Sequence, residues 1–277
     1  MNTDPAALLV VTPTLGDSPY LDQTVASVAT LPVPVHHVLS TPAARVTALA
    51  ARYPGTEVVP DEGRSGGIYG AINAGLRAAR PRSEWRWFTY INDDDCLLPG
   101  FGPALLGATP GTDVLYGDVD LIDETGALIS RITVAKDPRW IPDLLHQGIS
   151  PLMQQGLALR RETVERLQGF DLRYRLCADL DFWVRAFCGG ARFRYHPGPV
   201  ARFRLRAGQL SADTERTRVE QDEIVARHLP GRGSALSRLT TRSLYRLVNL
   251  PRYLERIRAR GFRSSYALLQ AGTAKAS

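Results

Sequence analysis

The chain has 277 residues, 44% of them hydrophobic, three cysteines and a formal net charge of +6. That length buries a core without covalent help, so a disulfide scaffold is not needed, and Cys96, Cys177 and Cys188, an odd set with no CxxC spacing, suit a reducing compartment and speak weakly against thiolate metal sites. No apolar run reaches membrane-spanning length and the first four residues lack a basic start, which predicts a cytoplasmic protein. The positive charge is segregated, because residues 231–277 hold nine arginines and a lysine against Glu255 alone.

Residues 8–11 are a short apolar run closed by Thr12-Pro13-Thr14-Leu15-Gly16, and residues 20–28 follow with helical spacing. Strand, turn, helix is an α/β opening. Further strands are predicted at 35–39 and 57–59, with a helix over about 42–53 between them. Residues 70–80 read as a helix whose Ala71, Ala74, Leu76 and Ala78 allow close packing on a sheet, and 86–91 as the next strand. A helix restarts over 99–106, and 113–118 is a strand ending in Asp118. These runs do not alternate cleanly, as expected of parallel strands buried on both faces. Residues 128–155, interrupted by Pro138, Pro142 and Pro151, read as a loop-rich wall for an acceptor. Residues 161–167 form a short helix stopped at Gly169. Residues 178–187 form an amphipathic helix with Leu180, Trp183, Val184 and Phe187 on one face.

The run from Trp87 to Ile91 ends abruptly in Asn92-Asp93-Asp94-Asp95. Three adjacent carboxylates repel one another, so the cluster is costly unless a cation, an arginine or solvent compensates it. Oxygen ligands at a strand tip can hold a divalent cation against a diphosphate, while the plainer reading is a solvated turn ahead of Pro99-Gly100. A second strand ending at Asp118 places another acid at the carboxyl edge of the sheet, where open α/β sheets bind ligands. Asp179 falls in the first turn of its helix, where the dipole favours a carboxylate; it is a candidate general base for an acceptor hydroxyl, or an ordinary first-turn acid. Residues 63–70 are glycine-rich ahead of a helix but match neither GxGxxG nor GxxxxGK[ST], which leaves close backbone approach to a nucleotide, with Arg64 as charge partner, or a flexible link. The five histidines contain no HExxH, and His196 alone is kept as a possible ligand beside its plainer structural reading. No GxSxG elbow is present.

In order, Thr12-Pro13-Thr14, Gly67-Ile68-Tyr69 with Asn73-Ala74-Gly75, Asn92-Asp93-Asp94-Asp95 with Pro99-Gly100, Tyr116-Gly117-Asp118 and Ala178-Asp179-Leu180-Asp181-Phe182-Trp183 resemble family 2 glycosyltransferases over about residues 8–210. The resemblance implies an α/β GT-A-like catalytic domain over residues 1–225, with a mostly parallel central sheet flanked by helices. Its nucleotide-sugar half covers about 1–120 and its acceptor half 121–225, followed by a basic amphipathic helical tail over 226–277. It also implies an inverting, hexosyltransferase-type reaction that moves a sugar from a nucleoside-diphosphate donor to an acceptor hydroxyl with Mn²⁺ or Mg²⁺, in cell-envelope or other polysaccharide synthesis. By motif, Asp95 resembles the leading metal ligand and Asp93 a second, with Asp93 or Asp94 near the donor ribose. Thr12, Pro13, Thr14, Gly67 and Asn73 complete the implied donor site. Asp179 resembles the catalytic base, and Gly169-Phe170-Asp171 the stretch ahead of it where donor sugar and acceptor meet. Two departures leave donor identity open. Ser40-Thr41-Pro42 stands where many relatives place a base-reading acid, and Gly70 with Arg64-Ser65-Gly66 replaces an acid and a Pro-Asp-Arg run.

Other classes fit less well. A nucleic-acid binder using the arginine-rich tail needs interleaved aromatic platforms or a reading motif. A nucleotidyltransferase needs a basic glycine-rich loop after the first strand, where Thr12 to Ser18 carries Asp17 and no basic residue. A non-catalytic sugar-nucleotide binder has no use for Asp179. The expected partners are therefore a nucleotide sugar and a hydroxyl-bearing glycan, lipid-linked or small-molecule acceptor, without nucleic acid. In the tail, leucines are threaded through arginines and Pro251 is expected to divide two short helices. Such a segment either lies on an anionic membrane, at the inner face, or packs on the catalytic domain or a second subunit.

Overall fold

The computed structural model describes residues 7–61, 66–81, 85–132, 134–206, 214–231 and 234–251, with Tyr253, Leu254 and Ile257. Its first strand, β1 (Ala7–Pro13), is central because Leu8, Leu9, Val10 and Val11 are all fully buried. Leu9 and Val11 pack into one core layer, Leu8 and Val10 into the other. Parallel neighbours flank it, β2 (Val35–Thr41) on one side and β4 (Trp85–Tyr90) on the other, and β3 (Glu57–Pro60) extends the sheet beyond β2. Helices α1 (Leu21–Ala29), α2 (Val46–Arg52) and α3 (Gly67–Ala79) link these strands. α3 lies unusually close to the sheet. A Cβ on Gly75 would come within 2.7 Å of Val11 Cγ1, so the glycine is a packing requirement.

The sheet continues through β8 (Leu157–Arg160), β6 (Val114–Ile122), β9 (Phe193–Arg204) and the short β5 (Cys96–Leu97), in the order β3-β2-β1-β4-β8-β6-β9-β5, with β7 (Leu128–Ile132) pairing off β6. The expected parallel sense holds among β1, β2, β3 and β4 and at the β6–β9 pair. β8 runs antiparallel to both β4 and β6, and β5 and β7 are antiparallel to their neighbours. A tight turn forces that sense on β7, since Asp123 Oδ1 gathers the N–H groups of Thr125 and Ala127 and leaves no room for a crossover.

Three local expectations are corrected. β6 does not end at Asp118 but runs on to Ile122, and β9 absorbs the irregularity with register shifts around Gly117 and Asp118. Residues 128–155 are not a bare loop. They contain β7 and α5 (Ile141–Leu145), and Pro138 and Pro142 begin helical turns, where a missing N–H costs nothing. The break in the tail falls at Asn249. α9 (Ala235–Val248) stops there and helical backbone resumes at Leu250 with Pro251 in its first turn. Helices α4 (Phe101–Leu106), α6 (Arg161–Leu167), α7 (Ala178–Cys188) and α8 (Thr214–His228) complete the described fold.

Candidate active site

β4 delivers the acidic run to the carboxyl edge of the sheet, where the three acids take separate directions. Asp93 Oδ2 accepts from Thr14 Oγ1 at 2.6 Å, and its carbonyl accepts from Ser18 Oγ at 2.9 Å, so the turn after β1 holds it. Asp94 forms an ion pair with Arg206. Asp95 has no exposed surface: its Oδ1 accepts from the Arg204 N–H at 2.8 Å, and its Oδ2 from Gln155 Nε2 at 3.0 Å and Asn92 Nδ2 at 3.2 Å. Burial, then the charge of Asp94, push the Asp95 carboxyl well above the usual range, and these three donors pull it back. Asp93 is also pushed up, chiefly by burial, against the bond from Thr14.

Behind this loop lies Arg204, 1% exposed and stacked 4.2 Å from the Tyr20 ring centroid. Its Nε donates to the Asp94 carbonyl at 2.9 Å and its Nη2 to Gln23 Oε1 at 2.8 Å. The strand β9 thus fixes the acidic loop from one side and, two residues later, sends Arg206 across its face. Compensation by arginine, one of the three ways to tolerate adjacent carboxylates, is realised here.

Opposite the acids, α7 carries Asp179 in its first turn. The Tyr69 hydroxyl lies 3.0 Å from both Asp179 Oδ1 and the Leu176 carbonyl, so one proton serves two acceptors. Burial raises the Asp179 pKa, and the Leu180 N–H and the Tyr69 hydroxyl oppose the rise. Burial followed by the neighbouring Asp179 holds Tyr69 well above the phenol range, so it remains a donor. Beneath them Phe170 stacks on Tyr69 at 5.6 Å and on Phe182 at 4.2 Å. Asn73 clamps the Phe170 backbone, donating to its carbonyl at 2.9 Å and accepting its N–H at 2.8 Å. From α8, Glu220 accepts the N–H groups of Arg175, Leu176 and Cys177 at 3.0, 2.8 and 2.9 Å, which fixes the chain just before α7.

These elements enclose a cleft of about 370 Å³. Of the residues expected at the site, Pro13, Asp93, Asp94 and Asp179 line it together. Thr14 supports Asp93. Thr12 is buried against His37, whose imidazole burial drives down to about 3. Gly67 starts α3 at φ +58°, near the Arg175 guanidinium, while Asn73, Asp95 and His196 do not line the cleft. Arg64 lies outside the described residues. Among the described residues no group of three or more His, Cys, Asp or Glu side chains is arranged to hold a metal ion. Arg175, Arg206 and Glu220 were not anticipated. The alternation Arg202-Phe203-Arg204-Leu205-Arg206 is a strand-like signal that could have pointed to Arg206, whereas Glu220 sits in a highly charged helix and carries none.

The family described as Glycosyl transferase family 2 matches residues 9–167. No curated protein sequence matches the chain. Residues 1–349 of S. aureus TarS, solved in complex with UDP, superpose with a TM-score of 0.60 at 15% identity, covering 88% of this chain and 72% of that one. The same protein in complex with UDP-GlcNAc gives 0.59 at 17% identity, covering 91% and 79%. The mannosyltransferase PcManGT from Pyrobaculum calidifontis, in complex with GDP-Man and Mn²⁺, gives 0.58 at 19% identity, covering 99% and 81%. These likenesses show the fold, a curled α/β sheet flanked by helices of the GT-A type.

Proposed function

This chain belongs to glycosyl transferase family 2, and we propose that it moves a sugar from a nucleoside-diphosphate donor to an acceptor hydroxyl with inversion at the anomeric carbon. The observation that carries this reading is the cleft itself, which sets the Asp93–Asp94 pair with Arg206 on one wall and Asp179, with Arg175 just ahead of its helix, on the other. The two walls suit two jobs. Charge building on a departing diphosphate is stabilised by fixed cations, and Arg206 and Arg175 both line the cleft. An attacking alcohol needs a base, and Asp179 is held for that by α7 and Tyr69. A base that only removes the hydroxyl proton fits direct displacement, which inverts.

Asp93 and Asp94 fit a divalent cation. Both line the cleft, and an all-oxygen donor set suits Mg²⁺ or Mn²⁺. When bound, such an ion supplies positive charge against the diphosphate. Asp93 and Asp94 would be the residues that hold it, Asp94 being paired with Arg206 in this structure. Asp95, expected as the leading ligand, is assigned instead to pinning the loop beneath, through Arg204, Gln155 and Asn92. The nucleotide sugars bound by TarS and PcManGT support the donor class. A cytoplasmic role in cell-envelope or other polysaccharide synthesis is part of the same proposal.

The test is transfer and donor hydrolysis followed by NMR with UDP-, GDP- and dTDP-sugars in Mn²⁺. Asp179→Asn keeps the shape but loses the base, so turnover should fall about 10²–10⁴-fold with donor affinity nearly unchanged. Full turnover by this variant, or a product of retained anomeric configuration, overturns the assignment.

A further inference from the structure

α9 is attached to the protein by one face and turns the opposite one, rich in leucine, to solvent. The attached face repeats every four residues. Ser237 Oγ and Thr241 Oγ1 donate to Asp143 Oδ2 at 2.6 and 2.8 Å, Tyr245 packs with Ala135 and Leu144, and Asn249 Nδ2 reaches the Val134 carbonyl at 3.4 Å. Gln147 Nε2 adds a bond to the Arg238 carbonyl at 3.0 Å. The docking side is therefore built largely from hydroxyl and amide groups.

On the opposite side Leu236 is 71% exposed, Leu239 63% and Leu247 65%, while Leu244 and Val248, which flank the docked face, and Leu250 and Leu254 beyond the helix end are each more than two-fifths exposed. This inverts the usual arrangement, in which an amphipathic helix buries its apolar stripe in its own protein. Arg242 and Arg246, also exposed, lie one turn apart at the seam between the two faces. No acid occurs within α9.

We propose that this face docks on an anionic lipid bilayer, with the leucines in the interfacial region and the arginines against lipid phosphates. Charge decides the occupant. A second copy packed face to face would bring two arginine rows together in a segment whose only acid is Glu255, whereas an anionic surface complements both the leucines and the arginines. Among the described residues no helix is long and apolar enough to cross a membrane, so the helix lies in the surface. The segment that holds α9, with Asp143 and Gln147, also gives Leu145, Gly148 and Ile149 to the cleft wall. Helix and cleft share that wall, and a docked α9 sets the cleft beside the lipid. The docking stands by itself; its use, presenting a lipid-borne acceptor hydroxyl, rests on the proposed reaction.

The test is co-sedimentation of the full chain with phosphatidylcholine vesicles, with and without phosphatidylglycerol, at low and high salt. Wild type should pellet with the anionic vesicles at low salt and be released as salt rises. Leu236→Ser/Leu247→Ser and Arg242→Glu/Arg246→Glu should each lose at least about tenfold in partitioning, with an unchanged melting temperature because all four side chains are exposed. Wild type left in the supernatant with anionic vesicles overturns the proposal, as does undiminished binding by the leucine variant. A wild-type dimer that the leucine variant dissociates, without lipid binding, also overturns it and makes the face an interface between copies. Nucleotide-induced melting shifts, measured without vesicles, keep the two readings apart. Their absence beside intact lipid binding removes the proposed reaction alone, and their presence without lipid binding removes the docking alone.

Discussion

Asp179 sits where burial makes its charge costly, and the proposed role as base requires that charge. Burial lifts its folded pKa above the ordinary carboxylate value of the unfolded chain, so stability from this group is complete below the unfolded pKa, declines as pH rises towards the folded pKa, and levels off above it. Asp179→Asn should therefore match wild type near pH 3 and melt higher than wild type at neutral pH, while losing turnover. Equal melting temperatures at neutral pH would show that the carboxylate carries no burial cost. Asp94 and Asp95 differ in the opposite way. Asp95→Ala strips partners from the buried Arg204 N–H and Gln155 amide, which costs about 1–3 kcal/mol for each group left unsatisfied. Asp94→Ala touches a cleft-lining charge. Denaturant melts should show the large loss in Asp95→Ala alone, and Mn²⁺-dependent nucleotide binding should fall in Asp94→Ala without it. The reverse pattern would return the metal to Asp95.

Among the elements, α8 shows how one helix can place the carboxylate proposed as base, on another helix, without touching it. Glu220 is 8% exposed and gathers three consecutive N–H groups immediately before α7. Glu220→Ala leaves these donors to water or to each other, and an expected loss of about 1–3 kcal/mol should appear in urea unfolding. Turnover should fall with it while donor affinity changes little, since the Asp93–Asp94 wall is anchored separately by Thr14 and Arg204. A drop in donor affinity equal to the drop in turnover would mean that the two walls are coupled. On the other side of Asp179, α3 is set by Gly75 against Val11, and that close approach is what brings Tyr69 within reach of the carboxylate.

Over the whole molecule, the cleft forms where the parallel strands β1–β4 meet the mixed-sense strands β8, β6 and β9, so a donor that bridges the two parts should stabilise both. With a nucleoside diphosphate at a hundred times its Kd, the folded state gains about 2.7 kcal/mol. The melting shift should be largest in Mn²⁺ with one of UDP, GDP or dTDP, and shrink in EDTA. No shift with any of the three would remove the donor site. Features whose signals are local can be read along the chain: the early strands around Leu8–Val11 and Trp87–Ile91, the helices around Asn73 and Asp179, and the presence of acids at a strand end. Their apolar runs and periodicities act within a few residues. Tertiary structure alone decided which acid faces the cleft, because that depends on Arg204 and Arg206 arriving from β9, more than a hundred residues away. It decided likewise that Asn73 clamps Phe170 rather than lining the cleft, that β8 enters antiparallel, and that α9 turns its leucines outward. In each case the deciding partner is distant in the chain, and a periodic pattern specifies a face but not what meets it.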